Sequence, residues 1–586
     1  MGKYAKRKYR MIRERITRLK DLLNHYHLNG YIVTANDEYM SEFVADYAKR
    51  LEYITGFTGS NGIALILQDC NLFFTDGRYL ERSRLELDPH LFQIFDLKDL
   101  AEFNWQSFIL NEDSVVAYDP KLLTSKKLEI FSALRLQPLA GNLIDQIWEN
   151  QPSRPESEVY LYPIEFAGVS HEAKINNCRS SLNKHNAQAI IITATDSICW
   201  LLNLRASDLQ YTPLILCVAI ITQEHVYLFI NNNNRINQEI KNNREGLIIL
   251  PEDEIAKCLS NIAGKILIDE NSASVFVINL LTNKEVQKIT DPCQLLKACK
   301  NTTEIQHAIK AHLKDAVVVC EFLAQVEDSS WLLNKTEYDL GIELTKLRAK
   351  QEGYIMDSFP NICSFQENSA LIHYRAQKSK AKSISGNGIL LIDSGGQYMG
   401  ATTDITRTVS IGAPTNEQRK RYTQVLKGHI ALSSIIFPTN ITGSNLDVLA
   451  RQFLWKDYND YAHGTGHGVG SFLGVHEGPQ NINLRSNIIL QPCMIISNEP
   501  GYYLPGRFGI RIENLIYIKK ADHPEYLRFE TLSLVPYSRE LINYEMLTFE
   551  EINYIKEYYE NIYTQIYPQL SDTAKTWLLK QISLNT

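Results

Sequence analysis

The sequence predicts an α/β protein built from three consecutive blocks, and three observations carry that prediction. Short apolar strands alternate with helical stretches through roughly the first 300 residues. A fragment of this alternation recurs: Tyr31 to Asp37 and Ile190 to Asp196 share an apolar run, a Thr-Ala pair and an Asp two positions on, 159 residues apart. From about residue 300 the pattern changes to capped helices and glycine-flanked strands that carry acids.

Composition limits the function classes. At 586 residues the chain exceeds one ordinary core and implies about two to four domains. A hydrophobic share of 44% with 22% charged residues describes a folded chain rather than a disordered one. Sixty basic against 67 acidic residues give a formal charge of −7, which offers no footprint for nucleic acid. Ten cysteines without CxxC pairs fit buried thiols in a reducing compartment better than a disulfide frame or a zinc ribbon. The N-terminus is basic, but no apolar secretory core follows it, and Lys6 stands where a myristoylation signal needs Ser or Thr. No apolar run reaches about 18 residues, so no membrane span is expected and the cytoplasm is the expected compartment.

The first block opens with a helix carrying Ile12, Ile16, Leu19, Leu22 and Leu23 mostly at three- and four-residue spacing. Strands follow at 30–34, 63–67 and 71–75, the last closed by the Asp76-Gly77 turn signal, with helical stretches near 79–88 and 122–134. The polar, proline-bearing stretch 149–157 reads as a linker. In the second block a helix at 170–186 feeds a strand at 189–193, and strands at 214–220, 226–230 and 265–268 continue to a linker near Asp291. The predicted domains are 1–155, 156–300 and 301–586.

In the third block Asn301 and Glu304 have capping-box spacing, ahead of a long helix with Ile305, Ile309, Leu313 and Val317 on one face. A helix at 336–349, capped by Thr336, comes next. A strand at 388–393 ends on Asp393, and an alternating strand at 400–411 carries Asp404. With Gly395 and Gly396 between them, these acids suit a hairpin that aims two carboxylates at one place. Helices at 415–436 and 444–456 follow. A helical tail over 548–584 brings Tyr554, Tyr558, Tyr559, Tyr563 and Tyr567, read as packing residues on the third block or on a partner subunit.

The chemistry concentrates at 463–479, where His463, His467 and His476 stand among six glycines. Glycine this dense lets backbone turn tightly or approach closely, and imidazoles among it point to a metal or an acid/base site. Joined with Asp393, Asp404, Glu499 and Glu513, His467 completes a set of four carboxylates and one imidazole. Such a set suits Mn²⁺, Co²⁺, Fe²⁺ or Zn²⁺, not Cu⁺ or an iron–sulfur cluster. Four carboxylates in one dry cleft repel each other, and two divalent cations resolve this, with some carboxylates bridging. Arg511 and Glu513 alternate along a strand and share a face. Taken singly, each residue has an ordinary use: Asp393 as a turn or cap, Glu513 as an ion-pair partner of Arg511, His373 as a core histidine. Spacing alone does not show that positions a hundred residues apart converge.

Taken in order, Asp393, Asp404, His467, Glu499 and Glu513 resemble the dinuclear metal signature of the pita-bread metallopeptidases. The segments 370–374, 391–395, 402–408, 425–431, 463–479, 499–503, 508–514 and 529–536 narrow the resemblance to the long, three-domain, cytosolic type of Xaa-Pro aminopeptidase, or aminopeptidase P. Segments 75–79 and 200–205 carry it upstream, so it spans nearly the whole chain. The resemblance implies two creatinase-type N-terminal α/β domains, a pita-bread catalytic domain, and a C-terminal helical extension from about 545.

It further implies that Asp393 holds one metal, that His467 and Glu499 hold the other, and that Asp404 and Glu513 bridge both. Glu499 is implied as the proton acceptor for the attacking water. His373, His463 and His476 are implied to line the substrate cleft as catalytic and binding residues, with Arg511 as a further substrate-binding residue. The expected cofactor is a pair of divalent ions, Mn²⁺ by preference, with Co²⁺ or Zn²⁺ as alternatives. The expected partners are peptides with proline at the second position and a second copy of the chain in a homodimer, with neither nucleic acid nor membrane. The expected reaction hydrolyses the bond between the first residue and that proline. The alternatives are prolidase chemistry on Xaa-Pro dipeptides and a non-catalytic binding protein on the same fold. Departures from the family pattern are small: Asn498 where relatives often carry Asp, Thr212 in place of Asn between Tyr211 and Pro213, and Gly474 where Asn is frequent. None removes a ligand.

Overall fold

The computed structural model describes residues 3–108, 113–242, 244 and 246–583. Met1 and Gly2, ahead of the basic residues of the start, fall outside the described residues, as does Leu584 at the end of the predicted tail. The chain divides into two units, Met1–Tyr162 with Ser170–Cys293 and Pro163–Val169 with Gln294–Thr586.

The first unit holds two six-stranded sheets of one topology. The order Gln93–Asp96, Asn71–Thr75, Ile63–Leu67, Gly30–Thr34, Val115–Tyr118, Arg135–Pro138 is matched by Leu247–Pro251, Val226–Ile230, Cys217–Thr222, Ala189–Ile192, Ile266–Ile268, Val286–Lys288. In both, successive pairings run parallel, antiparallel, antiparallel, parallel, parallel. Tyr31 and Ile190 occupy the fourth strand of their sheets, so the short sequence echo marks a structural repeat. Strands such as Gly30–Thr34 and Ala189–Ile192 are buried along their whole length, which is why they read as unbroken apolar runs. The helix Lys3–His25 buries Ile12, Ile16, Leu19 and Leu23 against the first sheet, as its spacing predicts.

In the second unit the helix Thr302–Glu327 begins at the predicted capping box. Its inner face differs from expectation: Ile309 is 37% exposed, while Ala308, Ala311, His312 and Asp315 are buried. The small alanines allow close approach. Asp315 goes inside because Arg348, at the end of the helix Glu337–Arg348, meets both its oxygens, at 2.7 and 3.2 Å. That second helix starts at Thr336, as read from the sequence.

The strand Gly388–Ser394 pairs antiparallel with Ile405–Ile411, placing Asp393 opposite Thr406. Between them the chain folds a small ribbon, Gly396–Tyr398 against Ala401–Thr402. The single strand expected at 400–411 is therefore two, with Asp404 in the break. Gly395 is required there, because a Cβ would lie 1.9 Å from the Thr403 carbonyl oxygen. Glu499 and Glu513 occupy the same kind of place. Ile495–Asn498 gives way to Gly501–Leu504, and Phe508–Arg511 to Asn514–Lys520, each time with the acid in a two-residue interruption. Arg511 and Glu513 thus do not share one continuous strand, as expected from their alternation; the chain bends between them.

A six-stranded sheet, Ile436–Pro438, Tyr526–Thr531, Asn514–Lys520, Ile495–Asn498, Gly466–Gly468, Glu477–Ile482, is antiparallel throughout. The helices Asn416–Ser434 and Gly443–Trp455 pack on one another, and the first also meets strands of this sheet. Antiparallel strands carrying the acids, with long helices alongside, are the α/β pita-bread arrangement implied by the resemblance. The tail is two helices, Phe549–Gln565 and Asp572–Ile582, rather than one, since Pro568 between them has no amide hydrogen to continue a helix. Tyr558 and Tyr559 are buried there, whereas Tyr563 is 47% exposed and lies with its ring centroid 4.9 Å from that of Tyr567. No described helix is long and apolar enough to cross a membrane.

Candidate metal centre

The strand breaks bring the acids to one place. One ligand atom each of Asp404, His467 and Glu513 lies within 4.8 Å of the others. His467 Nε2 is 3.5 Å from Asp404 Oδ2 and 3.5 Å from Glu499 Oε1. Asp393 joins through Arg511, whose guanidinium is ion-paired with its Oδ2, while the buried Oδ1 of Asp393 has no hydrogen-bond partner.

His467, Glu499 and Glu513 are held from behind. His467 Nδ1 lies 2.9 Å from the carbonyl of Gly468, which makes Nδ1 the protonated nitrogen and turns the Nε2 lone pair toward the carboxylates. Thr406 Oγ1 donates to Glu513 Oε2 at 2.7 Å, and Ser497 Oγ to Glu499 Oε1 at 3.2 Å. Asn498, the departure from the family pattern, is fully buried and donates to the His429 carbonyl at 2.9 Å and Ser433 Oγ at 2.8 Å. His429 in turn reaches Asn514 at 3.2 Å. The residues flanking Glu499 and Glu513 are therefore tied to one helix.

Electrostatics tests whether metal fits. Burial and the charges of Asp393 and Glu499 push Asp404 well above the usual carboxylate range. Burial and Asp404 do the same to Glu513, and burial and Glu513 push Glu499 up to about 7. An imidazole lone pair facing carboxylate oxygens is acceptor against acceptor. A cation between them satisfies that arrangement without protonating the acids, and the orphaned Asp393 Oδ1 adds a further unfilled acceptor. The residues fit divalent metal.

The remaining predicted residues fall into two groups. His476 packs its ring edge-on against His467, with centroids 4.3 Å apart. His463 Nδ1 is 3.8 Å from Glu499 Oε2, and its Nε2 is 2.9 Å from the Tyr503 hydroxyl. His373 is half-buried between two anchored neighbours: the Ile372 carbonyl accepts from Arg511 at 3.4 Å and the Tyr374 hydroxyl donates to Glu337 at 2.6 Å. Arg511 is 2% exposed and turned onto Asp393, Tyr503 and Thr406. Tyr503 and His429 were given no role in the sequence reading. Tyr503 had a signal available, since it shares with Arg511 the hairpin Gly501–Leu504 and Phe508–Arg511 that leads away from Glu499; His429 offered none beyond a polar residue mid-helix.

A pita-bread fold whose buried carboxylates converge on one imidazole defines a metallopeptidase of the dinuclear class. Residues 295–520 match metallopeptidase family M24, 525–584 match the C-terminal region of peptidase M24, and 15–145 and 150–304 each match a creatinase/prolidase N-terminal domain. Xaa-Pro aminopeptidase 1 of Dictyostelium discoideum is 36% identical over 99% of this chain and 97% of its own. A probable Xaa-Pro aminopeptidase P of Laccaria bicolor is 33% identical over 97% and 93%. Among solved structures, the X-prolyl aminopeptidase of Caenorhabditis elegans, described as a cytosolic enzyme with a di-nuclear active site, superposes with a TM-score of 0.92 at 30% identity, covering 98% of this chain and 99% of that one. The prolidase of Pyrococcus horikoshii covers 99% of its own length but only 62% of this chain, at 25% identity and a TM-score of 0.51. The chain belongs to metallopeptidase family M24, with the Xaa-Pro aminopeptidases.

Proposed function

We propose that this protein is an Xaa-Pro aminopeptidase, hydrolysing the bond between the N-terminal residue of a peptide and a following proline. The observation that carries the reading is the His467 lone pair facing Asp404 and Glu499 inside a cluster of buried acids, in a chain aligned end to end with Xaa-Pro aminopeptidases. Asp393, Asp404, His467, Glu499 and Glu513 would hold two divalent ions, Mn²⁺ by preference, which when bound lower the pKa of a water and polarise the scissile carbonyl. Glu499 would take the proton from that water. His463 and His476 donate to substrate oxygens, and His373 seats the peptide. Arg511 contributes to binding from behind, by orienting Asp393. The free amine of the substrate is met by carboxylates, which restricts cleavage to the first bond. Proline supplies a rigid tertiary amide without N–H, so a small apolar slot shaped for its ring discriminates against ordinary residues.

Residues 1–155 and 156–300 serve as creatinase-type domains and 301–586 as the catalytic domain, working in the cytoplasm as a homodimer. The test is hydrolysis of an Xaa-Pro-Xaa tripeptide and of an Xaa-Pro dipeptide after chelation and stepwise return of Mn²⁺, beside a Glu499→Gln variant. Tripeptide cleavage restored by metal and lost in the variant supports the assignment. Preference for the dipeptide would make the protein a prolidase, and full activity of the variant would remove the assigned chemistry.

A further inference from the structure

Two lysines in the second unit are buried beside the histidine loop. Lys297 is 2% exposed, Lys300 is 3%, and the carboxylate they share, Glu477, is 5%. Lysine is almost never buried to this degree unless paired. The Lys300 ammonium is ion-paired with Glu477 Oε1 and donates to the Lys297 carbonyl at 2.6 Å. The Lys297 ammonium lies 3.5 Å from Glu477 Oε2 and 3.5 Å from the Gly478 carbonyl.

The sheet register shows what this pair holds. Gly466 faces Ile482 and His467 faces Asn481, but the next partner, of Gly468, is Glu477, so residues 478–480 bulge out. The bulge sets His476, immediately before Glu477, against the His467 ring. Packing leaves little slack: a Cβ on Gly468 would come within 2.2 Å of Gln480 Nε2 and 2.3 Å of the Glu477 carbonyl, and one on Gly470 within 3.3 Å of Glu477 Oε2. An apolar pair of the same volume would fill this space without the desolvation cost of buried charge. What the ion pair adds is direction, because it fixes where the Glu477 side chain, and with it the neighbouring backbone, must sit.

We propose that Lys300 is a positioning residue for His476, acting through Glu477 to hold the bulge that aims this histidine at the substrate. The inference rests on the peptidase reading above. It is tested with Lys300→Met, the neutral pair Lys300→Met/Glu477→Gln, His476→Ala, and Lys300→Met/Glu477→Gln/His476→Ala. The neutral pair strands no charge, and so keeps the test open if Lys300→Met alone does not fold. The expected result for the neutral pair is a melting temperature and metal content near wild type. Its kcat on an Xaa-Pro-Xaa tripeptide should fall about tenfold or more, while adding the neutral pair to His476→Ala should cost nothing further. Backbone hydrogen exchange over 474–482 should quicken in its metal-free form. Wild-type kcat in the neutral pair, a loss that adds independently to that of His476→Ala, or unchanged exchange would overturn the proposal. A wild-type protein inactive on the tripeptide would instead remove the peptidase reading, and the exchange measurement would still decide whether Lys300 holds the bulge.

Discussion

Arg511 is ion-paired with Asp393 inside the protein, and the same guanidinium donates to the Tyr503 hydroxyl at 2.7 Å, which lies 2.9 Å from His463 Nε2. One cation therefore ties a candidate metal ligand to a candidate substrate histidine. By occupying Asp393 Oδ2 it leaves Oδ1, buried and without a hydrogen-bond partner, as the oxygen available to a metal.

Lysine at position 511 would keep the charge but lose the planar fork that reaches Asp393, Tyr503 and Thr406 together. Arg511→Lys is expected to lower kcat/KM on an Xaa-Pro tripeptide by about 10- to 100-fold and to weaken metal retention on dialysis. Tyr503→Phe removes the hydroxyl that joins Arg511 to His463 but leaves the Arg511–Asp393 ion pair, so its kcat should fall while metal content, measured by elemental analysis, stays at the wild-type level.

Metal should also be visible as stability. A cation that binds only the folded chain stabilises it by mass action, by about 2.7 kcal/mol at a hundredfold excess over Kd. Chelation is expected to lower the melting temperature and stepwise Mn²⁺ to restore it. In Glu513→Gln, which removes one of the acids meeting at His467, the rise on adding metal should be much smaller. An equal rise in both proteins would place the stabilising ion elsewhere.

The ligand candidates were legible because each carries a local mark. Asp393 ends an apolar run, His467 lies among glycines, and Glu499 precedes a Pro-Gly turn. The repeat of the two N-terminal sheets was legible from a few shared residues, because the same buried strand recurs in both. The strand breaks at Asp404 and Glu513 were not, since no glycine or proline stands within two residues of either acid to mark a break. Nor was the pairing of Arg511 with Asp393, 118 positions away, or that of Arg348 with Asp315, because charge complementarity names no partner until the chain is folded. The exposure of Ile309 has the same origin: spacing shows a helix has an apolar stripe, and the neighbouring elements decide which side of it goes inside.

The Arg348–Asp315 pair should be costly to break. Arg348 is fully buried, and besides Asp315 it donates to Ser394 Oγ at 3.0 Å and Asn361 Oδ1 at 3.1 Å, while the Tyr398 hydroxyl donates to Asp315 at 2.9 Å. Asp315→Ala strands a buried cation and is expected to destabilise the chain by about 3–5 kcal/mol in urea melts. Ser394→Ala removes one neutral acceptor and should cost about 1 kcal/mol.

Asp37, at the end of the first sequence echo, predicts a pH dependence unconnected to the metal centre. Its side chain is fully buried, with Oδ1 accepting from the amides of Tyr39 and Ser41 at 3.0 and 2.9 Å and Oδ2 without a partner. Burial pushes its pKa from 3.8 up to about 6. An acid raised in this way holds its proton more tightly in the folded chain than in the unfolded one. Its contribution to stability is therefore fully present below about pH 4 and is lost as pH rises through about 6, a change of about 3 kcal/mol. Asparagine keeps the Oδ1 acceptor and cannot ionise. Urea melts of Asp37→Asn and wild type at pH 4 and pH 7.5 should show the variant gaining by about that amount between the two pH values, whatever constant cost the substitution carries. A difference that does not change with pH would mean that the carboxyl is held ionised in the fold by groups other than the two backbone amides.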